Sequence, residues 1–573
     1  MFVAKKKISG KEYYYLQKST RENDKVKSEY VAYLGKDKEE AEKKAEEIKN
    51  QMNTDKNQQE KQTLVRKPIT IDELASFCKR KGFAYPSGEI YGGLSGLYDY
   101  GHNGILLKKN FENIWRQYFL GLHENFFEIE ASEIMPEQTF VASGHLKNFT
   151  DIAAKCKKGH IERADHLLEK YMKKRIDGLS AEELFSLIKE QKAVCSQCGN
   201  AIDYVGPINM MFPLQLGVGT NVKAYLRPET AQSPYVNFKT EFEATRGKLP
   251  LGLALIGMAY RNELSPRNFL LRQRAFTQAE LQIFFNPAKI DEYEHFDEIA
   301  EYILRVVISS EREKGIQQIQ CQELAKKIPK FYVYHMAKVQ QFYLQQLEMP
   351  PEKFRFFELD EKEKAFYNKY HFDMEADLDS VGWTEIGGVH YRTDHDLKGH
   401  QEISKQNLSI LDEETKKKFI PHVLELSFGV DRNFQTILTF AYFHDDKRQN
   451  TVLRLHPKLA PVKAAVFPII KQPEYEKIAE DIIKDLRKEF HIAYDRSGSI
   501  GRRYARNDEI GTPYCITVDE ESPKNQDVTI RDRDTTKQIR VPIKNLKEII
   551  RKLINKEIPF EKAGKKVETR VKE

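Results

Sequence analysis

The segment LPLGLALIGMAYRNELSPRNFLLRQRAF, residues 249–276, constrains the fold more than any other. Its first twelve residues are apolar, the pattern of a buried strand. Arg261, Arg267, Arg272 and Arg274 then follow within fourteen positions. Guanidinium groups are not buried unpaired. The chain must therefore leave the core, turn, and return beside a large anion. Period-two alternation over the return, 269–284, puts Arg272, Arg274, Phe276, Gln278, Glu280 and Gln282 on one face. The other face carries Leu271, Gln273, Ala275, Thr277, Ala279, Leu281 and Ile283, which can pack as core. Two cations, a ring, an amide and a carboxylate in a row suit a nucleotide: guanidinium for phosphate, ring for base.

Three other segments add carboxylates. YLRPET places Tyr225, Arg227 and Glu229 on one face of a strand. VLELSFGVDR places Glu425 and Ser427 together, breaks at Gly429 and starts a helix near Arg432. GWTEIGGVHYRTDHDL presents Glu385 among small residues. Glu229, Glu280 and Glu425 lie on apolar strands, where a carboxylate needs a cation. A ligand ammonium would supply it, which points to an amino-acid pocket beside an ATP pocket.

At 573 residues the chain exceeds one core, and two to four domains are expected. A mean hydropathy of -0.62 and the lack of a long uncharged apolar run argue against a membrane span. The N-terminus has no apolar stretch after its lysines and so does not read as a secretory signal. Six cysteines suggest a reducing cytoplasm rather than a disulfide framework. The net charge of +6 permits a polyanionic partner without requiring one. No G-x-x-x-x-G-K phosphate loop is present, which excludes that route to nucleotide binding.

The expected organisation has four parts. Residues 1–66 form an appendage of two aromatic-rich strands, a helix with Glu39→Lys43 and Glu40→Lys44 spacing, and the polar linker NTDKNQQEKQ. Residues 67–457 form the main domain, with a Cys-rich insertion at 150–205 and a helical insertion at 287–380. Residues 458–560 read β-α-β-α-β-β-α, and 561–573 read as a charged tail.

The motifs resemble those of class II aminoacyl-tRNA synthetases, specifically the dimeric glycyl-tRNA synthetases of archaea and eukaryotes. The matching pieces are SGEIYGGLSGLYDYG at 87, SGH at 143, RADHL at 163, RPETAQ at 227, RNELSPR at 261, YRTDHDL at 391, ELSFGVDR at 425 and GRRYARNDEIGTPYCITVD at 501. They span 85 to 555 and leave the appendage outside. The resemblance implies an α+β fold: an antiparallel sheet flanked by helices, followed by a C-terminal α/β anticodon-binding domain. It implies a homodimer joined through the helix and strand of 111–136, ending at Pro136. It also implies glycine activation by ATP and transfer to tRNA(Gly), with diadenosine polyphosphate synthesis as a side reaction.

The resemblance also assigns residues. Arg261, Arg432 and Glu385 are the catalytic set, with Arg261 and Glu263 at the α-phosphate and adenine amino group and Phe276 stacked on adenine. Arg267, Arg272 and Arg274 lie along the polyphosphate path. Arg432 takes the γ-phosphate, and Asn262, Leu271, Ile386 and Gly429 complete the ATP contacts. Glu385 binds Mg²⁺. Glu229, Glu280, Glu425 and Ser427 form the glycine pocket. Arg502, Arg503, Arg531 and Arg533 are anticodon candidates. Two departures concern Ala275 and Leu426, where the family has Glu and Pro; both face away from the ligand row.

The third departure is at the cysteines. Cys195-x2-Cys198-Gly199 is half a zinc knuckle. In the other half Cys156 is followed by Gly159, where archaeal relatives have a second cysteine, and then by His160. The set Cys156, His160, Cys195, Cys198 can hold Zn²⁺, and a decayed, metal-free site is the alternative. Cys78, Cys321 and Cys515 read as ordinary core or surface residues.

Overall fold

The computed structural model describes residues 2–8, 11–22, 25–35, 37–46, 48, 67–173, 176, 178–218, 222–365 and 367–567. Its centre is a nine-stranded sheet. In chain order the strands are β1 (Phe126–Glu128), β2 (Leu251–Tyr260), β3 (Ala275–Phe285), β4 (Ile303–Val307), β5 (Gln317–Gln320), β6 (Phe354–Glu358), β7 (Tyr370–Leu378), β8 (Gly382–Thr393) and β9 (His422–Gly429). They lie in the order β5-β4-β6-β7-β8-β9-β3-β2-β1. Pairing is antiparallel except at β2–β1 and β4–β6.

Strands β2 and β3 form the hairpin read from the apolar run, with Tyr260 opposite Ala275 and Leu255 opposite Glu280. Strand β9 completes the floor, with Glu280 opposite Ser427 and Gln282 opposite Glu425. One side of the sheet is closed by α1 (His102–Leu120) and α2 (Val430–Ala441). Trp115 of α1 is fully buried against Phe119 and Phe428, ring centroids 5.3 and 5.9 Å away. Deleting that ring would cost about 3–5 kcal/mol. Leu426 is fully buried, so the family's proline is replaced on the side away from the ligand row, as its alternation predicts.

The stretch 287–380, expected to be mostly helical, supplies β4 to β7 together with the helix Lys330–Gln341. The misreading came from its charge. Phe372, Met374, Ala376 and Leu378 of β7 are buried, while Asp373, Glu375 and Asp377 alternate with them towards the half-buried face. That is a period-two strand with one polar side. The appendage has three antiparallel strands (Phe2–Ile8, Lys11–Glu22, Lys25–Gly35) where two were expected, and a helix over 38–46. Tyr14, Leu16, Leu34, Ala41 and Ala45 form its own small core. The linker NTDKNQQEKQ lies outside the described residues.

The C-terminal unit is a six-stranded mixed sheet with its own core, built in the order β-α-β-α-β-α-β-β-α-β; relative to the expected β-α-β-α-β-β-α it adds the short helix Ser522–Asn525, one strand of the run Tyr514–Pro542 and the edge strand Lys565–Lys566. The expected tail is shorter than read, because Lys565–Lys566 pairs with Gln538–Pro542 as an edge strand. Residues 568–573 of that tail lie outside the described residues.

Candidate active site

A cleft on the polar face of β3, β8 and β9 gathers Glu229, Arg261, Glu263, Leu271, Arg272, Phe276, Glu280, Glu385, Glu425, Ser427, Gly429 and Arg432. At one end Arg261 has its Nε tied to the Pro228 carbonyl at 3.0 Å, and its guanidinium lies 5.2 Å from the Phe276 ring and 5.4 Å from Phe149. Arg432 donates to the carbonyls of Leu271 (3.0 Å) and Glu385 (3.1 Å) and pairs with the Glu385 carboxylate at 2.9 Å. Glu385 remains half-exposed. Against the desolvation of the cleft, Arg432 holds its carboxyl below the usual range. Glu263 is buried with Oε2 3.6 Å from Arg272 Nε, and that Oε2 has no hydrogen-bond partner among the described residues. A buried acceptor left open in this way is costly unless a ligand donor meets it.

Four expected ATP residues do not line this cleft. β3 begins only at Ala275, after a turn over Phe269–Leu271, so the alternation fails before that point. Arg274 instead reaches outwards, to the Glu263 carbonyl (3.1 Å) and the Ser95 carbonyl (2.8 Å). It ties the glycine-rich loop to the hairpin, where Gly96 (φ +78°) sits so close to Pro266 that a Cβ would lie 2.6 Å from it. Arg267 is exposed and bonds His166. Asn262 is exposed, held by its backbone N–H on the Met210 carbonyl. Ile386 is fully buried core, and only its carbonyl is used, by Asn433.

At the other end the carboxylates are not equal. Arg392, missed as a site residue although it lies within the YRTDHDL block, is 1% exposed. It pairs with Glu425 (2.9 Å), Glu229 (3.3 Å) and Asp396 (2.9 Å), between the rings of Tyr235 and Tyr367. Glu425 also takes Gln282 Nε2 at 3.0 Å and His390. Despite burial, Arg392 and then His390 hold it down to about 2. Glu229 is likewise held low by Arg392 and His145 against the cost of burial. The sequence expectation that all three carboxylates lack a cation is therefore corrected: two share an internal one.

Glu280 has none. It accepts hydrogen bonds from Thr230 Oγ1 (2.6 Å), Ser427 Oγ (2.7 Å) and Gln278 Nε2 (2.9 Å), all neutral donors. Burial, then the charges of Glu425 and Glu229, push it up to about 7. It is the one member of the glutamate trio without an ion-pair partner among the described residues; the buried Arg227 acts on it only at longer range. The signal that could have found Arg392 is that it is the one arginine or lysine on the strand Gly382–Thr393, in a chain that sets Glu229, Glu280 and Glu425 on apolar strands.

In the insertion the strands Thr150–Cys156, Ile161–Arg163 and Ile202–Asn209 form a small sheet against two helices. Cys156, His160, Cys195 and Cys198 converge there, with ligand atoms within 4.8 Å of one another. The turn Cys156–His160 closes through Gly159 N–H to the Cys156 carbonyl, with Gly159 at φ +85°, and this folds His160 back beside Cys156. Cys156 Sγ lies 3.7 Å from Cys198 Sγ, and Cys195 Sγ lies 3.6 Å from His160 Nδ1. Tetrahedral Zn²⁺ with Zn–S of about 2.3 Å and Zn–N of about 2.0–2.1 Å requires edges of roughly 3.8 and 3.6 Å. The donor set fits zinc. A backbone N–H at Asn200 lowers the Cys198 thiol to about 6.

The C-terminal arginines divide differently from expectation. Arg531 is buried and forms a two-pronged pair with Asp508 at 2.9 and 3.0 Å. Arg533 is buried on Asp534 and on the carbonyls of Gly511 and Leu455, across the domain joint. Arg503 is buried on the carbonyls of Pro468 and Gly498. These three are spent on the fold, and only Arg502 of the four is exposed.

Residues 220–440 match the tRNA synthetase class II core domain (G, H, P, S and T), and 463–553 match an anticodon binding domain. A glycine–tRNA ligase of Pyrococcus furiosus is 37% identical over 563 residues, covering 84% of this chain and 98% of that protein. One from Methanothrix thermoacetophila is 34% identical over 577 residues, covering 87% and 99%. Among solved structures, a prolyl-tRNA synthetase from Cryptosporidium parvum complexed with L-proline and AMP superposes with a TM-score of 0.52 at 14% identity, over 85% of this chain and 76% of that one. That likeness is one of fold alone.

Proposed function

The chain belongs to the glycine–tRNA ligases, ATP-dependent class II aminoacyl-tRNA ligases, and on that premise we propose how its cleft divides the work. Glycine's ammonium sits on Glu280, the carboxylate without a cation. Its carboxylate attacks the α-phosphate of ATP in line, and pyrophosphate leaves. The nucleophile is already an anion, so catalysis rests on positioning and charge stabilisation. Arg261 meets the α-phosphate, Phe276 stacks on adenine, and the open Oε2 of Glu263 accepts from the adenine amino group. The adenylate then acylates the terminal ribose of tRNA(Gly). Glu229 and Glu425 act through Arg392, which fixes the pocket wall.

Mg²⁺ is a hard cation suited to carboxylate and phosphate oxygens, and the half-exposed Glu385 at the cleft is the residue that would hold it. Bound there, it supplies charge neutralisation on the phosphates. Zn²⁺ on Cys156, His160, Cys195 and Cys198 would clamp the insertion. Exposed apolar side chains at Phe127, Ile134 and Val141 support a homodimer through this region. Among the described residues no helix is long and apolar enough to cross a membrane, and a cytosolic enzyme is the reading adopted. Diadenosine polyphosphate synthesis, ATP attacking the same adenylate, is retained as a side reaction.

Glu280, the glutamate of the trio without an ion-pair partner among the described residues, carries the assignment. ATP–pyrophosphate exchange over the twenty amino acids tests it: exchange with glycine alone, lost in Glu280→Ala, is expected. Wild-type glycine KM and kcat in that variant would refute it. Metal analysis should find one zinc per chain, and its absence would establish the decayed alternative.

A further inference from the structure

Arg272 of the cleft and the exposed Arg267 beside it are held from outside the catalytic sheet. Helix Ala164–Met172 of the Cys-rich insertion carries His166, which is 9% exposed, onto the turn of the β2–β3 hairpin. His166 Nε2 lies 3.0 Å from Arg267 Nη2 and 3.2 Å from Arg272 Nη1. A guanidinium can only donate. Nε2 is therefore the acceptor of both bonds, and the ring proton is on Nδ1, which is buried without a hydrogen-bond partner among the described residues. Burial and the surrounding arginines, opposed only by Asp165, push the ring down to about 3, so it stays neutral through the working range.

The helix start is itself fixed. Arg163 bonds Asp151 at 2.9 Å and Asp165 at 2.6 Å, and Asp165 accepts the His166 backbone N–H at 2.7 Å. Across the turn, Arg267 N–H reaches the Arg272 carbonyl at 3.3 Å. Two guanidinium groups side by side repel each other and would diverge into solvent. A neutral acceptor shared between them holds them at one separation and adds no negative charge to that of Glu263, which faces Arg272 at 3.6 Å.

We propose that His166 is a positioning residue that presents Arg267 and Arg272 as a fixed pair to the polyphosphate of ATP, coupling the Cys-rich insertion to nucleotide binding. The proposal rests on the ATP assignment of the cleft. It explains why an insertion remote from the sheet ends on the nucleotide hairpin, and it gives the exposed Arg267 a role.

The test is ATP–pyrophosphate exchange in full-length His166→Ala and His166→Gln. Loss of a hydrogen bond to charged partners should raise KM for ATP roughly tenfold in the alanine variant. Glycine KM and the melting temperature should stay at wild-type values. Glutamine restores an acceptor oxygen and should recover most of the ATP affinity. Unchanged ATP KM in His166→Ala overturns the proposal. So does an equal rise in both KM values with a lowered melting temperature and no rescue by glutamine, the outcome of a merely structural histidine. Arg261→Ala run alongside separates the two levels: if it too leaves exchange unchanged, the cleft reading fails rather than the histidine's role.

Discussion

Arg392 Nη1 lies 2.9 Å from Glu425 Oε2, with the two side chains 1% and 4% exposed. The pair divides the acids of the pocket into those that build the wall and the one that waits for substrate. Taking ions out of water costs several kcal/mol each, and only close geometry repays it. Arg392 achieves this by serving Glu229, Asp396 and Glu425 together.

Arg392→Ala should therefore be far more damaging than an ordinary core truncation. It leaves Asp396 without its ion-pair partner and Glu229 and Glu425 with only His145 and His390, and the expected loss is about 3–5 kcal/mol of catalytic-domain stability. Denaturant unfolding measures it. A loss under about 1 kcal/mol would mean that the acids are neutral and the network is not ionic.

Glu280 makes glycine binding pH-dependent. Its folded value, about 7, stands above the ordinary carboxylate value of 4.5. In the free enzyme its neutral form stabilises the fold below pH 4.5, and that contribution is lost as pH rises through about 7. Glycine's ammonium requires the ionised form, so binding releases a proton below pH 7. KM for glycine should rise as pH falls from 8 to 6, approaching tenfold per unit at the acid end. Glu280→Gln should bind weakly with a flat profile, and an equally steep profile in that variant would assign the titration elsewhere.

Arg261 has its Nε committed to Pro228, and its terminal nitrogens take no protein hydrogen-bond partner among the described residues. Arg261→Ala should lose roughly 2.7–4 kcal/mol of transition-state stabilisation, the scale for removing one key donor. The deficit should appear in kcat of pyrophosphate exchange, with glycine KM little changed. Unaltered exchange would refute the α-phosphate assignment.

The C-terminal arginines should separate cleanly. Arg531→Ala removes one of the two arginines on the buried Asp508, leaving Arg448 at 3.0 Å, and should destabilise this domain by about 1.5–3 kcal/mol. Arg502→Ala, at an exposed position, should leave stability within about 0.5 kcal/mol and act only on tRNA KM. Scanning calorimetry and aminoacylation kinetics check both, and the reverse pattern would restore Arg531 as a tRNA reader.

Much of the site was legible because strand alternation is local. Phe276, Gln278 and Glu280 share the cleft face as their spacing requires. Alternation misled at Arg274, where a turn over Phe269–Leu271 resets the phase before β3 begins. It was overlooked in β7, whose acidic side concealed a buried row of Phe372, Met374, Ala376 and Leu378.

The class of chemistry is written in local patterns: guanidinium groups after an apolar strand, acids on neighbouring strands, and cysteines in knuckle spacing. Which charges are spent internally and which stay available is set by the packing of remote segments. Arg392 is 163 residues from Glu229 and 33 from Glu425, and Arg531 is 23 from Asp508. Charge compensation depends on distance in space and on exclusion of water. Both arise when remote strands are laid side by side, so Glu280 became distinguishable from its two neighbours only in the folded chain.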